Sequence, residues 1–269
     1  MKQFKGKAIY NPKGKAGEYS GWACNFYVGC SNECDYCYLK KGRGKSVLGG
    51  NVPALKKHFK NEDHALEIFK KEAIANKDDL QKNGLFFSFT TDPMLPETRE
   101  LTEDAIGIAQ YHGIPCKVLT KMTGWVDAVV GDSKEYGDHA KGLIAYGFTL
   151  TGFDEREPNA SSNIARIQAM DKLHREGFKV WASIEPVIDL SNSFAVINLS
   201  RVSCDLFKVG LMAGKKYKQR ELEAFVRTLT ERFPDNKFYF KDTLLKQAGI
   251  DRASLPGNCV GRDYNIFTN

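Results

Sequence analysis

The sequence predicts an α/β protein whose strands form a partial (β/α)6 TIM-type barrel, and three observations lead there. Short apolar and β-branched runs alternate with amphipathic stretches along most of the chain. Those runs are apolar almost throughout rather than at every second residue, the pattern of parallel strands covered on both faces. Polar residues gather where the runs end, which is where α/β folds place their ligands.

The elements follow in order. Residues 63–82 (DHALEIFKKEAIANKDDLQK) put Ala65, Ile68, Phe69 and Ala73 on one helical face, with Glu and Lys on the other. The helix stops at Asn83-Gly84 and gives way to LFFSFTTD, a buried strand. TRELTEDAIGIAQYHG reads as a helix opened by Thr98 as cap and closed at Gly113. The strand IPCKVLTK follows, then a helical stretch near 125–140, a strand over 143–151, a helix over 162–176 and the strand FKVWASIEP. A short helix over 192–199, the strand CDLFKVGLM, a helix over 219–233 and the strand KFYFKD complete the series. One domain over 1–269 is expected, with its core at about 22–240. Residues 1–21 are a basic extension, and residues 241–269, punctuated by Pro and Gly, suit a cap on the open bottom or side of the barrel.

Composition narrows the function classes. With 42% hydrophobic and 27% charged residues, and no apolar run approaching the roughly 20 residues of a membrane span, an integral membrane protein is not expected. The basic N-terminus lacks the apolar stretch of a secretory signal, so a cytoplasmic location is expected. A net charge of +6 permits a nucleic-acid partner, although the lysines around 2–15, 40–45 and 215–220 are equally explained as solvated faces. The five histidines show no ligand spacing. Phe86, Phe87 and Phe89 run consecutively through a strand and read as core.

Seven cysteines, an odd number, point to metal or catalytic use of some of them rather than to a disulfide framework. Cys24, Cys116, Cys204 and Cys259 stand singly among apolar or turn residues, but Cys30, Cys34 and Cys37 form a CxxxCxxC loop in GCSNECDYCY. Three thiolates on one loop suit a soft metal or an iron–sulfur cluster. A structural zinc would want a fourth ligand, which Cys24 would have to supply. A cluster held by three cysteines leaves one iron open for a substrate or cosubstrate.

CxxxCxxC with an aromatic residue, Tyr36, just before the last cysteine resembles the signature of the radical S-adenosylmethionine (SAM) superfamily. The resemblance implies the radical SAM kind of partial barrel. It also implies a 4Fe-4S cluster on Cys30, Cys34 and Cys37, SAM chelating the open iron, and reductive cleavage to a 5′-deoxyadenosyl radical that abstracts hydrogen. An electron donor such as a flavodoxin or ferredoxin is implied as partner. TTDPMLPETRELT, VLTK and TLTGFDEREPNASSNIARIQAMDKLHREGFKVWASIEPVID extend the similarity, over about 26–189, to the spore photoproduct lyase-like group, often labelled DNA repair photolyases. A nucleic-acid base is then the expected substrate. A peptide or small metabolite, or a zinc-stabilised nucleic-acid-binding protein, are the alternatives.

By position, that resemblance places Thr91, Lys121 and Thr149 where the photoproduct lyases hold SAM, and puts Ser183 and Glu185 where ribose or substrate is contacted. A lysine ammonium pairs a carboxylate, and a carboxylate accepts hydroxyl hydrogen bonds. Asp92, before Pro93, reads as an Asx-turn cap. One departure stands out: where the photoproduct lyases carry a hydrogen-donating cysteine, this chain has Phe89. Cys116, Tyr36 or Tyr38 would have to return the hydrogen in its place.

Overall fold

The computed structural model describes residues 2–41, 44–132 and 137–268. Its strands are β1 (Ile9–Tyr10), β2 (Ala23–Cys24), β3 (Tyr27–Val28), β4 (Ala54–Leu55), β5 (Leu85–Phe87), β6 (Cys116–Thr120), β7 (Ile144–Thr149), β8 (Lys179–Val187), β9 (Leu206–Leu211) and β10 (Phe238–Phe240). The helices are α1 (Lys45–Leu48), α2 (Glu62–Ala75), α3 (Lys77–Asn83), α4 (Arg99–Tyr111), α5 (Val126–Gly131), α6 (Asp138–Gly142), α7 (Asn163–Arg175), α8 (Leu190–Ser200), α9 (Gln219–Arg232) and α10 (Asp242–Ala248). An eight-stranded sheet runs β1-β2-β5-β6-β7-β8-β9-β10, and β3-β4 form a separate antiparallel pair. Only β1 is antiparallel in the large sheet; β2 and β5 to β10 are parallel. The six strand–helix units anticipated from β5 onward are present, with the two-residue β2 added at the leading edge.

Alternation along the strands sorts side chains into two cores. Leu85 and Phe87 of β5 point outward with Cys24, Cys116 and Val118 into the layer beneath the helices. Phe86, between them, points inward and meets Ala23, Ala145, Trp181, Leu206 and Tyr239 inside the barrel. Helix α9 shows why the outer layer holds: Leu222, Phe225, Val226 and Leu229 recur at helical spacing and are all buried. At the base, Ile266 enters the inner cluster, with Val260, Tyr264 and Phe267 packed against it.

Several boundaries differ from the sequence reading for local reasons. The helix expected over 63–82 is two, α2 and α3, because Asn76 turns its side chain back to donate to the Glu72 carbonyl (2.8 Å), a local bond that competes with helix continuation. The strand LFFSFTTD keeps only Leu85–Phe87. Beyond Phe87 the backbone leaves the sheet, with the Phe89 N–H donating to Asn25 Oδ1 (2.7 Å) and the Ser88 hydroxyl to the Thr91 carbonyl (2.8 Å). Thr98 does not cap α4 through its side chain; its hydroxyl donates to the Asp92 carbonyl (2.8 Å). The stretch read as helix over 125–140 contains α5 and the start of α6, and 133–136 lie outside the described residues. Helix α8 is longer than read, capped by Asp189 Oδ1 accepting from the Asn192 N–H (3.0 Å). Among the described residues no helix is long and apolar enough to cross a membrane.

Candidate active site

The cysteine loop leaves β3 and is shaped by one glycine. Gly29 sits at φ +83°, and a Cβ there would lie 2.5 Å from the Val52 carbonyl oxygen, so no other residue fits without displacing backbone. The next residue, Cys30, donates its N–H to the Gly50 carbonyl (3.0 Å), and the Cys37 N–H reaches back to the Cys34 carbonyl (3.3 Å). From the far side, the loop between β7 and α7 clamps it. Arg156 Nε holds Asp35 at 2.9 Å, Asn159 Nδ2 donates to the Ser31 carbonyl (2.9 Å), and the Tyr36 hydroxyl donates to Glu157.

All three cysteines face a cavity of about 360 Å³ at the carboxyl ends of the strands. Tyr36, Thr91, Lys121, Thr149, Ser183 and Glu185 line the same cavity, so the six side chains chosen by position converge with the three thiols in one place. Asp92 is the brace behind them. Its carboxylate accepts from the Met94 N–H (3.0 Å), closing the expected Asx turn, and also from Asn32 Nδ2 (2.8 Å), Thr120 Oγ1 (2.6 Å) and the Lys121 N–H (2.8 Å). One carboxylate thereby fixes the cysteine loop, the β5 turn and the end of β6 together.

Opposite the cysteines, the expected Ser183 and Glu185 belong to a polar group whose other members, Tyr19, Lys208 and Lys241, were not anticipated. The Tyr19 hydroxyl donates to Glu185 Oε2 (2.6 Å) and lies 2.7 Å from Ser183 Oγ. Lys241 Nζ donates to the same Glu185 oxygen (2.7 Å) and sits 3.4 Å from Glu18. Lys208 Nζ donates to the carbonyls of Glu18 and Tyr19 (3.0 and 2.9 Å), tying the 14–19 segment into the mouth of the barrel. Gly210 makes this possible, because a Cβ there would fall 2.7 Å from both Glu185 Cδ and Lys241 Cδ.

Burial sets the electrostatics. It pushes the Cys30 thiol up to about 11, with Asp92 adding to the effect, and raises Cys34 as well, so these thiols ionise only against a cation. Burial works against the Lys121 ammonium too, but Cys34 and Glu157 more than offset it and its pKa lies above the ordinary lysine value. Tyr19 and Tyr36 are held protonated, by burial first and then by Glu185 and Glu157 respectively. Lys208 is pushed well down by burial and by the neighbouring Lys117 and Lys241 ammonium groups.

Cys24 and Cys116 are buried small hydrophobes, as their isolated positions among apolar residues imply, and two alternative roles fall away. Cys24 is no fourth ligand: it points into the outer core with Ile9 and Phe87, away from the cavity. Nor, among the described residues, do three His, Cys, Asp or Glu side chains converge on a single metal ion. A mononuclear zinc would need that convergence, whereas three thiolates on a cubic cluster each bind a different iron. Cys116 is equally removed, fully buried in the outer core with its thiol on the Ile114 carbonyl (3.6 Å), so it cannot return a hydrogen to a radical in the cavity. Tyr36 and Tyr38 do line the cavity. Phe86 and Phe87 are core as read, but Phe89 is a cavity wall.

The sequence model of the radical SAM superfamily matches residues 24–189, more than half of the chain. The chain belongs to the radical SAM superfamily. Among solved structures, Streptococcus suis SuiB bound to S-adenosylmethionine shares the fold at a TM-score of 0.52 and 10% identity, over 82% of this chain and 47% of that one. The chain thus spans about half the length of that protein. No curated protein matches it.

Radical SAM enzymes use a 4Fe-4S cluster and SAM, and the residues present fit both. Three free thiols face one cavity, beside a cationic lysine suited to the methionyl carboxylate. The buried Thr91 Oγ1 and Asn32 Oδ1, both on residues lining the cavity, have no hydrogen-bond partner among the described residues, which is a cost unless a ligand meets them. Glu157 and Arg166, absent from the sequence reading, stand directly behind Tyr36 and Lys121. Arg166 gave a signal: it occupies the buried stripe of α7 with Ala169, Met170 and Leu173, where a charge is out of place. Lys241 ends β10 as Lys121 ends β6, so the strand-end rule applied to the last strand would have found it.

Proposed function

We propose that this radical SAM enzyme acts on a base of a nucleic acid, in the manner of the photoproduct lyase-like group. Bound together, the cluster on Cys30, Cys34 and Cys37 and SAM supply a 5′-deoxyadenosyl radical able to abstract a hydrogen atom. The protein's part is to bind, orient and exclude water. Lys121 pairs the carboxylate of SAM, Thr91 and Thr149 offer hydroxyls, and Glu185 accepts from ribose or substrate hydroxyls.

One observation carries the substrate reading: the size of the cavity against the character of its mouth. About 360 Å³ is at the low end of the roughly 300–1,000 Å³ of single small-molecule sites. With SAM inside, only a fragment of the substrate fits, so the reacting group is presented from outside by a larger molecule. At the mouth stand Phe89 and Tyr38, the latter 60% exposed, with Lys15 and Lys40 on the same rim. Aromatic faces that stack a base, with ammonium groups for its phosphates, are the elements of single-stranded nucleic-acid binding.

The test is anaerobic reconstitution with iron and sulfide, reduction, and measurement of 5′-deoxyadenosine with and without single-stranded or ultraviolet-damaged oligonucleotides. Stimulation by an oligonucleotide, with binding that weakens linearly in log salt, is expected. Stimulation by peptides or small metabolites alone would overturn the substrate assignment and leave the radical SAM chemistry standing.

A further inference from the structure

Glu157 lies between β7 and α7, and its side chain is fully buried. It touches three groups from three parts of the chain. Oε1 accepts from the Tyr36 hydroxyl of the cysteine loop and lies 3.9 Å from Lys121 Nζ at the end of β6. Oε2 accepts from Arg166 Nη2 on α7 at 2.5 Å. Arg166 is itself fully buried, its Nε donating to the Ser161 carbonyl (2.7 Å) and its Nη1 to the Thr149 carbonyl at the end of β7 (2.6 Å).

A buried ion pair is a poor device for stability alone, because desolvating both charges cancels most of their attraction and an apolar pair serves a core as well. What this pair does that an apolar pair cannot is set the charge and position of Lys121. At 3.9 Å the Lys121 ammonium is drawn toward Glu157 without a hydrogen bond to it, so Glu157 takes none of its donors from a ligand carboxylate. Glu157 also screens Lys121 from Arg166, whose charge opposes it.

We infer that Glu157, braced by Arg166, is a positioning residue that holds the Lys121 ammonium in place to receive the carboxylate of SAM. The inference rests on the proposed role of Lys121 as a SAM contact. Glu157→Gln is the informative change, since the amide oxygen still accepts from Tyr36 while the charge is gone.

SAM affinity is measured by equilibrium dialysis on anaerobically reconstituted, unreduced protein, with iron content determined in parallel. Glu157→Gln is expected to weaken SAM binding about tenfold at unchanged iron content. Combined with Lys121→Ala it is expected to bind no more weakly than Lys121→Ala alone, because Glu157 acts through that lysine. Should the lone Gln variant fail to fold around an uncompensated Arg166, Glu157→Gln/Arg166→Met removes both charges and is expected to fold with the tenfold loss intact.

Wild-type affinity in Glu157→Gln, or in the Glu157→Gln/Arg166→Met protein, would show that Glu157 is only the counterion of Arg166 and overturn the inference. Full additivity with Lys121→Ala would overturn it too. Wild-type affinity in Lys121→Ala alone would instead remove the SAM contact on which the inference stands, so the two failures are separable.

Discussion

Lys117 offers a direct measure of what the barrel interior costs this protein. Its neighbours on β6, Cys116 and Val118, are in the outer core, so Lys117 points inward, where it pairs in register with Phe86 and Ala145 of the inner layer. Burial pushes its pKa down from 10.5 to about 8, with only Cys116 working the other way. A native pKa below the unfolded one means that the unfolded chain binds the extra proton between those two values. Stability from this group therefore rises with pH from about 8 to about 10.5, and below 8 the full penalty is present. The shift corresponds to about 3 kcal/mol, which residual water contact at this partly buried lysine reduces to about 2 kcal/mol. Lys117→Met keeps the length of the side chain and removes the charge. At pH 7 the variant is expected to be the more stable protein by about 2 kcal/mol, and the advantage should shrink steadily to nothing by about pH 10.5. Denaturant unfolding of the two proteins, loaded alike and compared at half-unit pH steps, reads this difference while the titrations common to both cancel. A variant less stable than wild type at pH 7, or an advantage that does not change with pH, would refute the reasoning.

Cys34→Ala is expected to leave the fold soluble and abolish both iron binding and 5′-deoxyadenosine formation, checked by iron assay and by chromatography of the nucleoside. Lys241→Met removes the cation between the buried Glu18 and the partly buried Glu185, and is expected to destabilise the fold by about 3–5 kcal/mol in denaturant unfolding at pH 7, because breaking the pair leaves Glu18 uncompensated. Tyr38→Ala is expected to weaken single-stranded oligonucleotide binding by about 1–3 kcal/mol without changing its salt slope, whereas Lys15→Ala should lower that slope by about 1. Fluorescence anisotropy across a salt series distinguishes the two.

The legible parts of this protein are those whose physics is local. CxxxCxxC is readable because three thiols on one loop are enough to reach one cluster, and Lys121 because a charge at the end of an apolar strand has few other reasons to be there. The strand and helix order was readable for the same cause, as each run carries its own period. Boundaries were lost where a side chain intervened: Asn76 on the Glu72 carbonyl split a helix, and Asn25 on the Phe89 N–H drew the chain out of β5 after three residues.

What was not legible depends on closure of the sheet. Glu157 sits in the run DEREP among other charges, and only its burial against Arg166 and Tyr36 marks it. Tyr19 belongs to a segment that reads as an extension, and Lys241 to the last strand; they meet because the 14–19 segment folds over the mouth and because Lys208 and Lys241 donate to its carbonyls. Contacts of that kind join residues some two hundred positions apart, and no periodicity announces them. The division has a functional sense. The half of the cavity around the cysteines must satisfy a fixed cofactor, so its residue types are constrained and recognisable. In the half around Tyr19, Glu185 and Lys241, the Tyr19 hydroxyl and the Lys241 ammonium both donate to Glu185 Oε2 and leave Oε1 without a hydrogen bond to the protein among the described residues. On the proposed reading, discrimination between substrates should therefore answer to changes at Tyr19 and Lys241, and changes at Lys121 and Glu157 should alter SAM binding whatever substrate is offered.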